Sequence, residues 1–334
     1  MKYLSLFSGI GGFEYGIQQS NKAKQLECIG YSEIDKYAKN VYEKHYPNHP
    51  RLGDATEIKT ENLPTFDLLV GGFPCQAFSV AGKRRGFDDT RGTLFFEIAR
   101  ILKEKKPRYF LLENVKNLLS HDKGRTFQEM LRILSELGYD VLWEIFNSKD
   151  YGVPQNRERI YIKGFLREKC GQEILSISKF CTENNNRLIT VKTNKSQGRR
   201  IYSVDGVSST LGANGGGQGG KTGLYQIDEK RSIPCTLEGN FFALNTSPRW
   251  MPLKKKIDNY IFEENEDGDF EYKIRRLTPI ECERLQGFPD EWTRYGSDGT
   301  EMSDTQRYKM CGNAVTTTVV QHIINTWDMG GLNQ

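Results

Sequence analysis

The sequence predicts an α/β protein with a second, smaller domain of mostly β and irregular structure, and three observations carry that prediction. From Tyr3 to Phe165, short apolar strand-like runs alternate with amphipathic helical stretches, the pattern of βαβ units around a parallel sheet. From about Leu166 the alternation gives way to polar residues, glycines and short β-like runs, which marks a change of domain. At Thr278-Pro279-Ile280-Glu281 a capping box with proline at the first helical position restarts regular structure. A chain of 334 residues is long enough to bury a core in each of two domains.

Tyr3 to Phe7 reads as the first strand, Ser8-Gly9-Ile10-Gly11-Gly12 as a turn, and Phe13 to Gln19 as an amphipathic helix. Strand, glycine turn and helix open a nucleotide-binding βαβ unit, where bare backbone approaches a cofactor at a helix N-terminus, although an ordinary tight turn has the same composition. Cys28 to Tyr31 reads as a second strand leading into Glu33-Ile34-Asp35, an acid placed to accept hydrogen bonds from ribose hydroxyls. Gly53-Asp54-Ala55 adds a carboxylate suited to an adenine amino group. Singly, each acid also fits a helix cap or a solvated charge; the ordered set supports a bound nucleoside. His45 and His49 have the spacing of metal ligands on a helix, but Pro47 breaks that helix, so no metal site is read here.

Phe66 to Val70 is an apolar run stopped by Gly71-Gly72, which puts Cys75 at a strand's carboxyl end. A thiol at that edge of a parallel sheet can be a nucleophile or simply pack. Lys83-Arg84-Arg85 begins a charged loop that reads either as solvated surface or as a loop closing over phosphate. Thr93 to Lys103 carries Leu94, Phe95, Ile98, Ile101 and Leu102 on one helical face. Arg108 to Leu112 reads as a buried strand ending at Glu113-Asn114-Val115, so Glu113 shares the carboxyl edge with Cys75. Phe127, Leu131, Leu134 and Leu137 mark the next helix, with Gly138 as its C-terminal cap. Val141 to Phe146 and Arg159 to Phe165 complete the alternation, with Gln155-Asn156-Arg157-Glu158 between them.

No acid occurs from Asn184 to Val204, where Arg187, Lys192, Lys195, Arg199 and Arg200 form a strip suited to phosphates. Gly212 to Gly220 reads as backbone laid against a large ligand, and Glu263 to Asp269 as an acidic loop on the opposite face. Cys282 to Gln286 is helical and Gly287-Phe288-Pro289 stops it. Cys311 to Val315 precedes a terminal helix whose Val319, Val320, Ile323, Ile324 and Trp327 form an apolar face returning to the first domain. The formal net charge of +4 identifies no partner. Seven cysteines without a CxxC pair suggest neither a zinc site nor a disulfide framework. No stretch approaches ~18 apolar residues, and the expectation is a soluble, cytoplasmic protein without a membrane partner.

Taken in order, Phe7 through Phe13, Glu33-Ile34-Asp35, Gly53-Asp54, Gly72 through Gln76, Glu113-Asn114-Val115, Gln155 through Arg159, Arg276 through Pro289 and Gly312-Asn313 make the chain resemble the bacterial cytosine-C5 DNA methyltransferases of the small restriction-modification type. The resemblance implies a Rossmann-like S-adenosylmethionine-dependent methyltransferase domain over 1–165, a target-recognition domain over 166–275, and a hinge with a C-terminal helix over 276–334. It makes Cys75 the thiolate that adds to carbon-6 of a flipped cytosine, Glu113 the group that holds and protonates N3, and Arg159 the contact to the cytosine carbonyl, with Arg157 in support. It places Phe7 against the adenine, Glu33 on the ribose and Asp54 on the adenine amine. Gly9, Gly11, Gly12, Ile34, Ala55, Gly72, Pro74, Leu94, Asn313 and Val315 would surround the cofactor S-adenosyl-L-methionine.

On double-stranded DNA, the same likeness assigns Lys83, Arg84 and Arg85 to a closing loop, Gln197 to the vacated space, Arg200 to a guanine edge and Thr210 to a phosphate, with Tyr202 and Gly217 on the same surface. It implies a monomer whose cognate restriction endonuclease acts on the same DNA site without binding it. Two departures stand out: Ser5 where many members carry aspartate, and Ile34 where some place an aromatic. The stretch from Lys230 to Tyr272 is longer than in the smallest relatives, so target specificity does not transfer. Three rivals fit less well. A tRNA cytosine-C5 methyltransferase would need a shorter recognition domain, a catalytically silent DNA-binding homologue would not need Cys75, Glu113 and Arg159, and a dehydrogenase leaves the later motifs unused.

Overall fold

A computed structural model describes residues 1–74, 94–168, 190–192, 201–203, 224–228, 272–275 and 277–330. The strands β1 (Lys2–Leu6), β2 (Glu27–Ser32), β3 (Arg51–Gly53), β4 (Leu68–Gly72), β5 (Tyr109–Val115), β6 (Tyr139–Asn147) and β7 (Glu158–Leu166) form one seven-stranded sheet in the order β3-β2-β1-β4-β5-β7-β6. The first five run parallel to one another; β7 enters antiparallel between β5 and β6. The crossovers are α1 (Gly12–Gln18), α2 (Lys36–His45), α3 (Leu94–Lys105) and α4 (Arg125–Glu136).

Strands buried on both faces read as continuous apolar runs, and β5 shows why. Phe110 and Leu112 face one core layer with α3 and α4, while Tyr109 and Leu111 face the other with α1 and the C-terminal helix. In α4 the deepest contacts come from Phe127, Met130, Ile133 and Leu134; Leu131 and Leu137 are only half-buried, a rotation of the expected face. Asp35 ends β2's loop and caps α2, its carboxylate accepting from the amides of Tyr37 and Ala38 at 3.0 and 3.1 Å, which satisfies donors that a helix leaves open at its start.

The C-terminal part contains three helices among the described residues, α5 (Pro279–Leu285), α6 (Asp304–Asn313) and α7 (Thr317–Thr326), one more than the sequence suggested. Thr278 and Glu281 form the expected reciprocal capping box. The added helix α6 has no apolar stripe to announce it: its buried face includes Arg307, paired at 2.9 Å with the fully buried Glu283. Helix α7 docks on α1, and Gly16 allows the close approach, since a Cβ there would lie 2.6 Å from the Cβ of Val320. Burying Val319, Val320, Ile323 and Ile324 stabilises this return by roughly 1.5–3 kcal/mol per side chain.

A separate four-stranded sheet, ordered β11-β10-β9-β8, is built from β8 (Thr190–Lys192), β9 (Ile201–Ser203), β10 (Leu224–Asp228) and β11 (Tyr272–Arg275). The glycine run from Gly212 to Gly220 and the acidic stretch from Glu263 to Asp269 lie outside the described residues. No helix among the described residues is long and apolar enough to cross a membrane.

Candidate active site

The chain leaves β1 toward β2 and β3 on one side of the sheet and returns to place β4 on the other, so the carboxyl ends of β1 and β4 flank a topological switch point, where open α/β sheets bind ligands. At the end of β1, Phe7 and Gly9 take left-handed φ values of 54° and 57°. For Phe7 this costs on the order of 1–2 kcal/mol, and the Ser8 amide, bonded to the Ser32 carbonyl at 3.0 Å, helps to hold the turn. A Cβ at Gly9, or at Gly53 at the end of β3, would meet nothing within 4 Å, and Ile34 in the acid turn is 70% exposed. The glycine turn thus leaves bare backbone facing open space beside an apolar side chain.

Glu33 is aimed by both loops that meet there. One carboxylate oxygen accepts from the Gly9 amide at 2.8 Å and the other from the Asp35 amide at 2.7 Å. Burial pushes its pKa above the usual carboxylate range and these backbone donors pull it back. Asp54 caps a 3₁₀ turn through the Thr56 amide at 2.9 Å. The methyl of Ala55 is in the core and its carbonyl accepts from Arg100 at 3.1 Å.

Gly11 and Gly12 have a different reason to be glycine from the one the turn suggested. Their Cβ atoms would lie 2.5 Å from the Tyr46 ring and 2.7 Å from a Val315 methyl, so they admit α2's end and the C-terminal segment rather than a ligand. Val315 is buried against this turn, Asn313 is exposed at the end of α6, and Leu94 is half-buried at the start of α3.

On the neighbouring edge, Gly71 and Gly72 pair in register with Leu112 and Glu113. A Cβ would lie 2.9 Å from the Leu6 carbonyl at Gly71 and 3.2 Å from Glu113 Oε2 at Gly72. These glycines therefore make room for β1's backbone and for the Glu113 carboxylate. Pro74 is exposed, and the buried Asn114 donates from Nδ2 to the Phe73 carbonyl at 2.9 Å, a contact the sequence reading did not assign. Cys75 lies outside the described residues, as do Lys83, Arg84, Arg85, Gln197, Arg200, Thr210 and Gly217; Tyr202 lies in β9, in register with Tyr225 of β10.

Antiparallel pairing sets Tyr161 opposite Glu113 and Arg159 opposite Val115, so Arg159 reaches Glu113 diagonally on one face. Arg159 Nε lies 3.1 Å from Glu113 Oε1, and both side chains are largely buried. Burial raises the pKa of Glu113, with Arg159 and then Arg157 opposing. The result is a carboxyl group that keeps its proton to higher pH than a solvated glutamate, next to a fixed guanidinium.

Arg157, 2% exposed, points elsewhere: its Nη2 donates to the carbonyls of Gly312 and Ala314 at 3.1 and 2.9 Å. Burial, reinforced by the Arg159 charge, brings its pKa down to about 9. It braces the backbone on both sides of Asn313. Gln155 joins this bracing through the Leu285 carbonyl at 3.0 Å, and Gln286 bonds the Cys311 carbonyl at 2.8 Å and the Thr316 hydroxyl at 2.9 Å. Buried hydrogen bonds of this kind fix one arrangement of the elements they join. His45 and His49 are likewise occupied, His45 by the Trp292 carbonyl and ring and His49 by the Tyr42 hydroxyl.

With this geometry in hand, the model of one protein family, described as C-5 cytosine-specific DNA methylase, matches residues 1–328. The chain belongs to the C-5 cytosine-specific DNA methylases.

The methylase is 40% identical over 325 residues to the type II methyltransferase M1.ScrFI of Lactococcus lactis subsp. cremoris, covering 96% of this chain and 76% of that protein. To M.SsoII of Shigella sonnei it is 40% identical over 339 residues, covering 98% and 81%, and to M.HhaI of Haemophilus parahaemolyticus 34% over 357 residues, covering 97% and 93%. Among solved structures, the Dnmt2 methyltransferase of S. pombe superposes with a TM-score of 0.65 at 19% identity over 97% of both chains. A putative DNA modification methyltransferase encoded within an E. coli prophage gives 0.60 at 18% identity over 98% of both. These two show a shared Rossmann-like fold.

Proposed function

We propose that this methylase transfers a methyl group from S-adenosylmethionine to carbon-5 of a cytosine flipped out of duplex DNA at a specific short site. It would do so in the cytoplasm, as a monomer and as the modification half of a restriction-modification system. A cognate endonuclease would act on the same site without binding the methylase. The observation that carries the reading is the buried Glu113–Arg159 pair beside the end of β4, two strand positions from where the chain continues to Pro74 and Cys75. The family membership supports it. Residues 1–165 form the catalytic domain, 166–275 read the DNA, and 276–334 return to the catalytic domain in this reading.

The open backbone at Gly9 and Gly53, the aimed Glu33 carboxylate and the exposed Ile34 fit an adenosyl group. In this reading Phe7 and Ile34 bracket the adenine, Asp54 accepts from its amine, Glu33 takes the ribose, and Asn313 and Pro74 close the remaining sides. When bound, the cofactor supplies an electrophilic methyl group.

Carbon-5 of cytosine is a weak nucleophile. Addition of the Cys75 thiolate to carbon-6, with a proton delivered to N3 by Glu113, turns the ring into an enamine whose carbon-5 can attack a methyl group. The carbon-6 to sulfur bond breaks again when the carbon-5 proton leaves. A free thiol has a pKa of about 8.5, so the site must favour the thiolate. Arg159 holds the cytosine carbonyl and keeps Glu113 oriented; Arg157 acts through the Gly312–Ala314 backbone, as a positioning residue. Extruding the base costs on the order of a few kcal/mol, offset by Lys83, Arg84, Arg85 and Thr210 on phosphates and by Gln197 in the vacated space, while Arg200 reads a guanine edge.

The test is to incubate the protein with labelled S-adenosylmethionine and duplex DNA, tRNA or neither. Label in duplex DNA that disappears with Cys75→Ala supports the reading. Label in tRNA alone overturns the substrate, and label in DNA that survives Cys75→Ala overturns the mechanism. Bisulfite sequencing of the methylated duplex then reads out the target site.

A further inference from the structure

Helix α6 reaches the acid turn after β2 through an ion pair: Lys309 Nζ lies 2.6 Å from Asp35 Oδ2. The other oxygen of Asp35 is already committed to the amides of Tyr37 and Ala38, and the backbone amide of Asp35 to Glu33 Oε1. Every polar atom of Asp35 named here holds the turn. Among the described residues the Glu33 carboxylate is held by backbone, the Gly9 amide on one side and the Asp35 and Ile34 backbone on the other. Any tilt of the Glu33-Ile34-Asp35 turn therefore moves the Glu33 carboxylate relative to the glycine turn.

We propose that Lys309 is a positioning residue for the methyl donor: by holding Asp35, it sets the turn that presents Glu33 and Ile34 to the adenosyl group. The same helix ends at Asn313, whose flanking carbonyls Arg157 holds. Helix α6 thus carries two ties at its C-terminal end, Lys309 to the acid turn after β2 and the carbonyls flanking Asn313 to Arg157. The remainder of the C-terminal segment grips α2 independently. Asn40 bonds Asp298 and Ser297, and His45 stacks on Trp292 with ring centres 3.5 Å apart. Loss of Lys309 should accordingly free the turn without undocking the segment.

Both side chains remain partly exposed, Lys309 at 43% and Asp35 at 29%, so the pair is open to screening by salt. That exposure sets the size of the effect and provides its signature. The proposal rests on the reading of Glu33 as the ribose acid, and the experiment keeps the two apart. Calorimetric binding of S-adenosylmethionine would be measured for wild type, Lys309→Met, Lys309→Arg and Glu33→Gln at low and high salt, alongside amide hydrogen exchange of residues 33–38 without ligand.

The expected result is a roughly three- to tenfold weaker affinity in Lys309→Met, restored in Lys309→Arg, with less salt dependence than wild type, kcat unchanged and faster exchange at 33–38. Unchanged exchange at those amides overturns the latch whatever the ligand does. Altered exchange with unchanged affinity overturns its role toward the cofactor. Wild-type binding that Glu33→Gln leaves intact, or no wild-type binding at all, overturns the ribose reading and this proposal with it.

Discussion

The Phe73 carbonyl, two residues before Cys75, is held by the side-chain amide of Asn114 at 2.9 Å in a buried position. The same asparagine accepts from the Val115 amide at 2.8 Å, so one side chain ties the end of β4 to the end of β5. Removing it leaves a carbonyl without its donor in a dry site, at a cost of about 1–3 kcal/mol. Asn114→Ala is expected to lower single-turnover methylation at least tenfold and to weaken methyl-donor binding by less than that, since Asn114 holds the Phe73 carbonyl between Gly72 and Pro74, at the edge of the proposed cofactor site. Asn114→Asp should do worse, as an acceptor would then face the carbonyl. Wild-type turnover in Asn114→Asp would show that the amide does not set the strand end.

Glu113 is expected to act as an acid, and its environment suits that role. Gln keeps the shape but cannot supply a proton, so Glu113→Gln should reduce the methylation rate by about 10²–10⁴ while retaining DNA binding. Arg159→Met gives a separate check through pH. Arg159 opposes the rise in the Glu113 pKa, so its removal lets that pKa climb further. The alkaline limb of the rate profile governed by Glu113 should then move to higher pH even as the maximum rate falls. A limb that stays in place would assign it to another group.

The parallel half of the sheet was legible because its strands are buried on both faces and its turns are marked by glycine, as at Leu68–Gly72. The capping box at Thr278 was legible because its two partners are local in sequence. What was hidden depends on partners far apart in the chain. Helix α6 escaped notice because Arg307 and Glu283 replace the apolar stripe that periodicity detects. The insertion of β7 between β5 and β6 depends on strand pairing, which no local pattern encodes. Gln155 through Arg159 looked like one catalytic motif. The structure divides it where the strand begins: Arg159 lies in β7 and turns to Glu113, while Gln155 and Arg157, before the strand, brace the C-terminal backbone. Of the glycines expected around the cofactor, Gly9, Gly11, Gly12 and Gly72, only Gly9 faces open space.

That division among glycines gives opposite expectations for two alanine substitutions. At Gly16 the added methyl would sit 2.6 Å from Val320 Cβ and 2.7 Å from the Thr317 carbonyl, and neither α1 nor α7 can yield cheaply. Gly16→Ala should destabilise the fold by about 1–3 kcal/mol with little effect on cofactor affinity once folded. At Gly9 the methyl meets nothing, but the φ of 57° is unfavourable by on the order of 1 kcal/mol, and the methyl occupies the proposed ligand space. Gly9→Ala should weaken methyl-donor binding by more than it lowers Tm. Calorimetry and thermal unfolding of the two variants, side by side, check both halves.

Glu14 is the least expected ionisable group in the molecule, buried beneath the glycine turn on α1. It faces Ser5 and Tyr3 of β1, Cys28 of β2, and Tyr42 and Tyr46 at α2, none of which brings a cation. Its Oε1 accepts from the Tyr42 hydroxyl at 3.0 Å, and that hydroxyl also meets His49 Nδ1 at 2.9 Å. Burial raises the Glu14 pKa from 4.5 to about 7, with Ser5 and Tyr42 opposing, and burial together with the Glu14 charge lifts the Cys28 thiol to about 12. The sign follows from proton uptake. Between these two values the folded protein holds a proton that the unfolded chain has lost, so its contribution to stability is full below 4.5, declines as pH rises, and is gone above about 7. The span is worth on the order of 3 kcal/mol. Glu14→Gln keeps a neutral group in place and should flatten this decline, leaving the variant more stable than wild type at about pH 8 but not at about pH 4. Urea unfolding of both proteins across that range measures the difference directly, and parallel profiles would mean that Glu14 ionises without cost in the fold.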